Sequence, residues 1–214
     1  AFALEPTGPA PRPAHLVSAA LVAIDGPVKR ERGWLADPGV EIPEGATAVH
    51  GITTAHAREH GRPHHEVISE VVATIRQGWN DGRALVVFNA CYDLTILRRW
   101  DPSFEVLGPV IDPFVVDRAV DPYRKGKRTL EALCGLHGVR LDNAHDAGAD
   151  AVAAARLAWK MLGAQQALAG GDWREVNAQQ ARWHQARQQD FAEYLERTGK
   201  DASGVNTQWP MVIA

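Results

Sequence analysis

The stretch that decides the fold is Leu16-Val-Ser-Ala-Ala-Leu-Val-Ala-Ile24, then Asp25-Gly26, then Val28-Lys-Arg-Glu-Arg-Gly-Trp-Leu35. Its first part is apolar and contains β-branched residues, which favours a β-strand. Asp-Gly is a typical turn, so the second part can return beside the first as the other arm of a hairpin. Residues 1–5 are also mostly apolar and end at the turn Pro6-Thr7-Gly8-Pro9. We therefore predict three antiparallel strands at the start of the chain.

Helices and short strands alternate after this hairpin. Ala84–Phe88 and Pro109–Ile111 are short apolar runs that fit buried strands. Residues 37–46 are predicted to be loop, and the helices are predicted after Thr53 or Thr54, over 65–79, 92–100, 114–120 and 129–137, and from Asp146 to about Ala169. These elements predict an α/β fold whose mixed five-stranded sheet, first antiparallel and then parallel, is flanked by helices.

A domain boundary is predicted at Gly170-Gly171. It divides the chain into a domain of residues 1–169 and a C-terminal extension of residues 170–214. In the extension, Asp172 is a suitable N-cap for a helix over Trp173–Arg197 that ends at Gly199. Because this helix is mostly polar, we expect it to lie across the main domain.

The composition is that of an ordinary globular protein. The chain has 214 residues, 45% of them hydrophobic and 23% charged, as in ordinary globular proteins. Its formal net charge of -3 means that any contact with a polyanion is local or mediated by cations. The two cysteines form no CxxC pair. No run is apolar enough to span a membrane and no leader is evident, so a cytoplasmic location is the expectation.

The stretch His145-Asp-Ala-Gly-Ala-Asp150 contains the strongest candidates for catalytic residues. If Asp146 caps the helix, Asp150 lies in its first turn and His145 just outside it. Asp150 would then be held rigidly, which suits a metal ligand. His145 would be mobile, which suits a group that accepts a proton. The alternative is an acid that complements the helix dipole, next to a surface histidine.

Two more carboxylates lie at element ends, where active sites of open sheets collect. Glu5 ends the first strand, and Asp93 follows the buried strand at 84–88. Clustered carboxylates repel one another unless cations neutralise them. Oxygen ligands suit Mg²⁺ or Mn²⁺, and such a site with a histidine nearby suits phosphodiester hydrolysis by two metals.

Three motifs carry a family resemblance: Ala3-Leu4-Glu5-Pro6-Thr7-Gly8, Phe88-Asn89-Ala90-Cys91-Tyr92-Asp93 and His145-Asp146-Ala147-Gly148-Ala149-Asp150-Ala151. Together with Val49-His50-Gly51-Ile52-Thr53, they make residues 1 to about 165 resemble the DnaQ-like 3′–5′ exonucleases of the DEDDh group. The resemblance implies a ribonuclease-H-like fold and a two-metal Mg²⁺ or Mn²⁺ site held by Glu5, Asp93 and Asp150. It also implies that His145 is the general base.

The first motif departs from the family at one position. The family has a metal-binding Asp where this chain has Ala3, whose methyl group cannot bind a cation. Ala3 is either an engineered inactivation, which we favour because the other acids and His145 are retained, or a feature of a naturally degenerate relative. We predict very low nuclease activity and weakened metal binding.

Further residues are candidates for binding substrate. The resemblance implies that Thr7, Gly8 and His50 receive the terminal nucleotide and that Asn89 orients the strand. Thr7-Gly8 could instead be only a turn, and Asn89 only a helix cap. The basic run Arg124-Lys125-Gly126-Lys127-Arg128 is either a phosphate track for the strand or a solvated loop. Asp112 and Asp117 are left out of the site, and family position makes Asp112 structural.

Three functions remain open after these observations. The first is a metal-dependent 3′–5′ exonuclease that acts on single-stranded DNA ends, in proofreading, repair or end-trimming. The second is an exoribonuclease of the same group, and the third is an inactive nucleic-acid-binding module. The implied partners are nucleic acid and a DNA polymerase, repair or nucleic-acid-processing complex.

Overall fold

A computed structural model describes residues 1–162 and 172–213. Its first three strands are antiparallel: β1 is Phe2–Pro6, β2 is Leu16–Asp25 and β3 is Val28–Asp37. The chain turns between β2 and β3 at Gly26, whose φ of 57° is a conformation that glycine adopts without steric cost. The predicted hairpin is therefore confirmed.

The remaining strands are short. β4 (Arg62–Pro63) pairs in parallel with β3, and β5 (Leu85–Val86) pairs in parallel with β6 (Val110–Ile111). A parallel bridge between Phe2 and Val87 joins β1 to the end of β5. The described residues thus form a mixed sheet in the order β4-β3-β2-β1-β5-β6. The expected α/β class and mixed sheet are confirmed, but five was the wrong number of strands. The two-residue β4 was missed because it depends only on its contact with β3.

Eight helices occur in the described part of the chain: α1 Glu44–His50, α2 Thr54–His60, α3 His64–Asn80, α4 Ala90–Trp100, α5 Pro113–Val120, α6 Leu130–His137, α7 Ala147–Leu162 and α8 Trp173–Arg197. Helix α1 corrects the prediction that residues 37–46 are loop, since it begins at Glu44. Pro43 precedes it without a side-chain cap, so the sequence carried no start signal. The expected extension of α7 to Ala169 and the boundary at Gly170-Gly171 lie outside the described residues.

The core lies on both faces of the sheet. One cluster joins the inward side chains of β1 with α3 and α4, and it includes Phe2, Leu4, Val71 and Leu97. The second cluster joins α5, α6 and α7. Small side chains line the buried face of α7, and this helix packs against β1 and β2. The first turn of α7 is thereby held close to the end of β1.

The C-terminal segment is built into this fold. Gln180 of α8 is fully buried, and it accepts a hydrogen bond from Asp112 N (2.8 Å) and donates one to Val110 O (2.7 Å). Gln180 on α8 thus makes hydrogen bonds to backbone groups at the outer edge of β6. A further strand could otherwise pair with these groups. Trp209 and Met211 of the tail belong to the first core cluster. None of the described helices is long and apolar enough to cross a membrane.

Candidate active site

Glu5, His145 and Asp150 converge, although they come from distant parts of the chain. One ligand atom from each lies within 4.8 Å of the other two. Glu5 lies in β1 and Asp150 in the first turn of α7. Asp146 caps that turn, because its Oδ1 accepts a hydrogen bond from Ala149 N (2.9 Å). His145 stands on the preceding loop with a φ of 70°, and its N–H faces Asp150 Oδ1 at 3.4 Å.

Burial and mutual repulsion disfavour the ionised form of the carboxylates in this cluster when no cation is bound. Glu5 is only 6% exposed, and burial together with the charges of Asp150 and Asp146 raises its pKa to about 8. Burial also raises the pKa of Asp150, although His145 opposes this shift. A divalent cation would remove the repulsion, and carboxylate oxygens are the ligands that Mg²⁺ and Mn²⁺ prefer, with the imidazole of His145 left to accept a proton. The residues present therefore fit the implied metal.

Asp93 lies beside the cluster but is not one of its three mutually close members. It is buried, and its Oδ1 accepts a hydrogen bond from Leu4 N (3.1 Å). Burial raises the pKa of Asp93, and the charge of Glu5 raises it further. The two carboxylates are therefore neighbours. The assignment of Asp93 as a metal ligand stays a prediction.

Ala3 faces the same side of the sheet as Glu5. Side chains two residues apart on a strand project to one face, and Ala3 pairs with Ala20 on β2, as Glu5 pairs with Ser18. A carboxylate at position 3 would consequently point toward the face that carries Glu5. The backbone N–H that follows Ala3 already binds Asp93.

His50, Thr7 and Gly8 surround the end of β1. Burial and the charge of His145 both lower the pKa of His50, whose buried Nε2 has no hydrogen-bond partner among the described residues. Thr7 Oγ1 accepts a hydrogen bond from His15 N (3.0 Å), as expected if Thr7 stabilises the turn. A Cβ added at Gly8 would meet nothing within 4 Å, so the backbone there is open to a ligand.

Asn89 sits at the start of α4 with a φ of 60° and makes no side-chain cap. The cap is supplied by Asp112, which accepts hydrogen bonds from Asn89 N and Ala90 N, both at 2.9 Å. Asp112 is buried and also accepts from Phe114 N (3.0 Å). The structural role inferred for Asp112 agrees with these contacts. Within residues 1–162 and 172–213, the side chain of Asn89 makes no hydrogen bond.

Residues 2–158 match the model of the RNase T exonuclease family. The chain belongs to this exonuclease family. The DnaQ-like resemblance and the ribonuclease-H-like fold are thereby confirmed.

One relative matches part of this chain. A DNA polymerase III subunit epsilon-like protein of Rhodobacter capsulatus is 32% identical over 139 residues, which are 62% of this chain and 18% of that protein. This chain thus spans less than a fifth of that relative.

Two solved exonuclease structures share the fold. E. coli exonuclease I in a zinc-bound complex with single-stranded DNA has a TM-score of 0.60 and 21% identity, covering 77% of this chain and 40% of that one. Exonuclease X in complex with 5′-overhanging duplex DNA has a TM-score of 0.57 and 19% identity, covering 82% of this chain and 95% of that one.

The basic run Arg124–Arg128 is partly engaged in internal contacts. Asp117 is 4% exposed in its side chain and binds Arg124 (2.8 Å) and Arg128 (2.7 Å). Lys125 and Lys127 are exposed. A phosphate track at this loop stays a prediction, in which the lysines are better candidates than the arginines.

The sequence analysis did not single out Tyr92. Its hydroxyl donates to Gly8 O, and burial with the charges of Asp93 and Glu5 raises its pKa. Tyr92 therefore links the loop after β1 to the acidic cluster. Its place directly before Asp93 in the second motif was the available signal.

Proposed function

We propose that this protein is a metal-dependent 3′–5′ exonuclease that releases nucleoside 5′-monophosphates from single-stranded DNA. The convergence of Glu5, His145 and Asp150 carries the proposal, because these groups come together on a fold shared with exonucleases. The name of the Rhodobacter relative supports DNA over RNA as substrate, and it supports a setting beside a DNA polymerase or repair complex.

Each side chain has a role that follows from its position. Glu5 and Asp150, with Asp93 next to them, would hold Mg²⁺ or Mn²⁺. The cation, when bound, supplies positive charge that stabilises the charge developing on the phosphate oxygens. The ring of His145 stands on an exposed loop beside both carboxylates, where it can accept a proton from the attacking water. His50 and the open backbone at Gly8 would receive the terminal nucleotide.

Ala3 lowers the activity in this proposal. It removes one carboxylate from the face that carries Glu5, so cation binding and turnover both weaken. The removal of a charged ligand from a metal site costs orders of magnitude in rate, and we expect a loss of about a hundredfold or more.

Reversion of this position tests the proposed function. Ala3→Asp should restore Mg²⁺-dependent shortening of a single strand labelled at its 5′ end, and a 3′-terminal label should appear as mononucleotide. Equal activity of the two proteins under matched Mg²⁺ would refute the assignment of position 3. The same assay with RNA decides between the deoxyribonuclease and the exoribonuclease.

A second function is favoured by Ala3 itself, namely nucleic-acid binding without turnover. It predicts that the strand binds tightly and is not cut even after Ala3→Asp. Anisotropy of a labelled strand, measured beside the digestion assay, distinguishes it from the exonuclease.

A further inference from the structure

A cavity of about 580 Å³ opens at the start of α4. One side is formed by residues 10–12 with Asn89 and Tyr92, and the other by His184, residues 203–206 and Gln208. Tyr92 connects this cavity to the acidic cluster, because its hydroxyl donates a hydrogen bond to Gly8 O in the loop after Glu5 and because it directly precedes Asp93. The cavity is therefore adjacent to the candidate metal site.

The second wall is fixed in place. Gln208 O accepts a hydrogen bond from Cys91 Sγ (3.1 Å), and Val212 N donates one to Thr95 Oγ1 (2.9 Å). Trp209 Nε1 donates to Asp112 Oδ2 (3.2 Å). The wall is thus tied to α4 at several points, and it lies beyond residues 2–158, where the match to the exonuclease family ends.

This wall presents hydrogen-bond donors. Asn206 Oδ1 accepts from Gln208 N (2.8 Å), and Gln208 Oε1 accepts from Ile213 N (2.7 Å), so both amide planes are oriented. Within residues 1–162 and 172–213, neither amide nitrogen has a protein acceptor. Arg12 adds an exposed guanidinium on the opposite side. Such donors fit the oxygens of a phosphodiester and of the bases it joins.

We propose that this cavity binds the nucleotide next to the 3′-terminal one, and that the C-terminal tail thereby selects strands over mononucleotides. The volume suits one nucleotide, which is in the size range of small-molecule ligands. This inference rests on the proposed function, because it needs a strand whose end lies at Glu5 and Asp150.

Isosteric substitutions test the tail. Gln208→Glu keeps the acceptor for Ile213 N but replaces the amide donor with a negative oxygen. It should weaken binding of a labelled thymidine tetranucleotide in Mn²⁺ by about tenfold, as the loss of a hydrogen bond to a charged group implies. Gln189→Glu adds the same charge at an exposed position of α8 and should leave binding unchanged.

Thymidine 5′-monophosphate is the second probe, because it can fill the metal site without reaching the tail. Its affinity should be equal in Gln208→Glu and Gln189→Glu. Melting curves report whether each variant folds. Arg12→Gln tests the cavity if Gln208→Glu does not fold, because the Arg12 side chain makes no hydrogen bond or ion pair with the described residues.

The possible outcomes separate the two proposals. If the tetranucleotide binds Gln208→Glu as tightly as Gln189→Glu, or if the mononucleotide loses as much affinity as the tetranucleotide, the inference fails and the proposed function stands. If neither the unsubstituted protein nor Ala3→Asp binds thymidine 5′-monophosphate in Mn²⁺, and the tetranucleotide does not bind either, the proposed function fails and the inference falls with it.

Discussion

Glu5 lies in an environment that differs strongly from that of a surface acid. Its pKa of about 8 reflects burial and the charges of Asp150 and Asp146. Because the folded pKa lies above the ordinary value of 4.5, the folded state loses stability as the pH rises from 4.5 through 8. A buried acid of this kind is retained for chemistry rather than for stability.

We expect Glu5→Gln to stabilise the protein by about 2–4 kcal/mol above pH 8 in the presence of a chelator, because the amide carries no charge to bury. The same substitution should abolish binding of divalent cations. Denaturant unfolding with EDTA, with Glu193→Gln as an exposed control, measures the first effect. A loss of stability in Glu5→Gln would contradict this explanation of the raised pKa.

His64 provides a second test at the residue scale. Its Nε2 accepts a hydrogen bond from Leu16 N (3.1 Å), and burial together with the charges of His15 and His65 lowers its pKa to about 4. A depressed histidine pKa makes the folded state lose stability as the pH falls from 6.5 toward 4.

This loss should amount to about 1–2 kcal/mol, after allowance for the partial contact of His64 with water. Unfolding free energies measured between pH 7.5 and 4.5 check it. His64→Gln should make the dependence on pH shallower, and an unchanged slope would show that other groups cause it.

Among the elements, β6 depends most on a side chain from elsewhere. Gln180 satisfies Asp112 N and Val110 O from a fully buried position on α8. Gln180→Ala should leave these groups without partners and cost about 2–4 kcal/mol. Thermal unfolding measures the effect, and Gln185→Ala on the exposed side of α8 should be nearly neutral. Equal effects of the two substitutions would mean that α8 is only loosely attached.

Local signals predicted some elements well and others poorly. Asp25-Gly26 located the β2–β3 turn, and Asp172 correctly marked the start of α8. Helix α1 begins without a side-chain cap, and strand β4 forms only by pairing with the distant strand β3, so neither had such a signal. The predicted strand at 84–88 shortened to Leu85–Val86 for the same reason: regular pairing requires a partner, which β6 supplies over two residues.

For the whole molecule, the sequence motifs identified the chemistry but not the distances. Glu5, Asp93 and Asp150 were predicted to meet beside His145, and one ligand atom from each of Glu5, Asp150 and His145 lies within 4.8 Å of the other two. No motif indicated that Asp93 would lie outside this trio, since that depends on how α4 packs against β1. The contribution of the tail could not be predicted either, because it rests on long-range contacts such as Trp209 with Asp112.

The metal site joins side chains of β1 and α7 that meet only in the folded protein. Its affinity for a divalent cation is therefore the most direct test of the proposed site. Calorimetric titration with Mn²⁺ should show weak binding to the protein as it stands and binding about tenfold or more tighter in Ala3→Asp. Adding Asp150→Asn to Ala3→Asp should abolish the gain. Undiminished Mn²⁺ binding in that double variant would contradict the assignment of Glu5, Asp93 and Asp150 as the metal ligands.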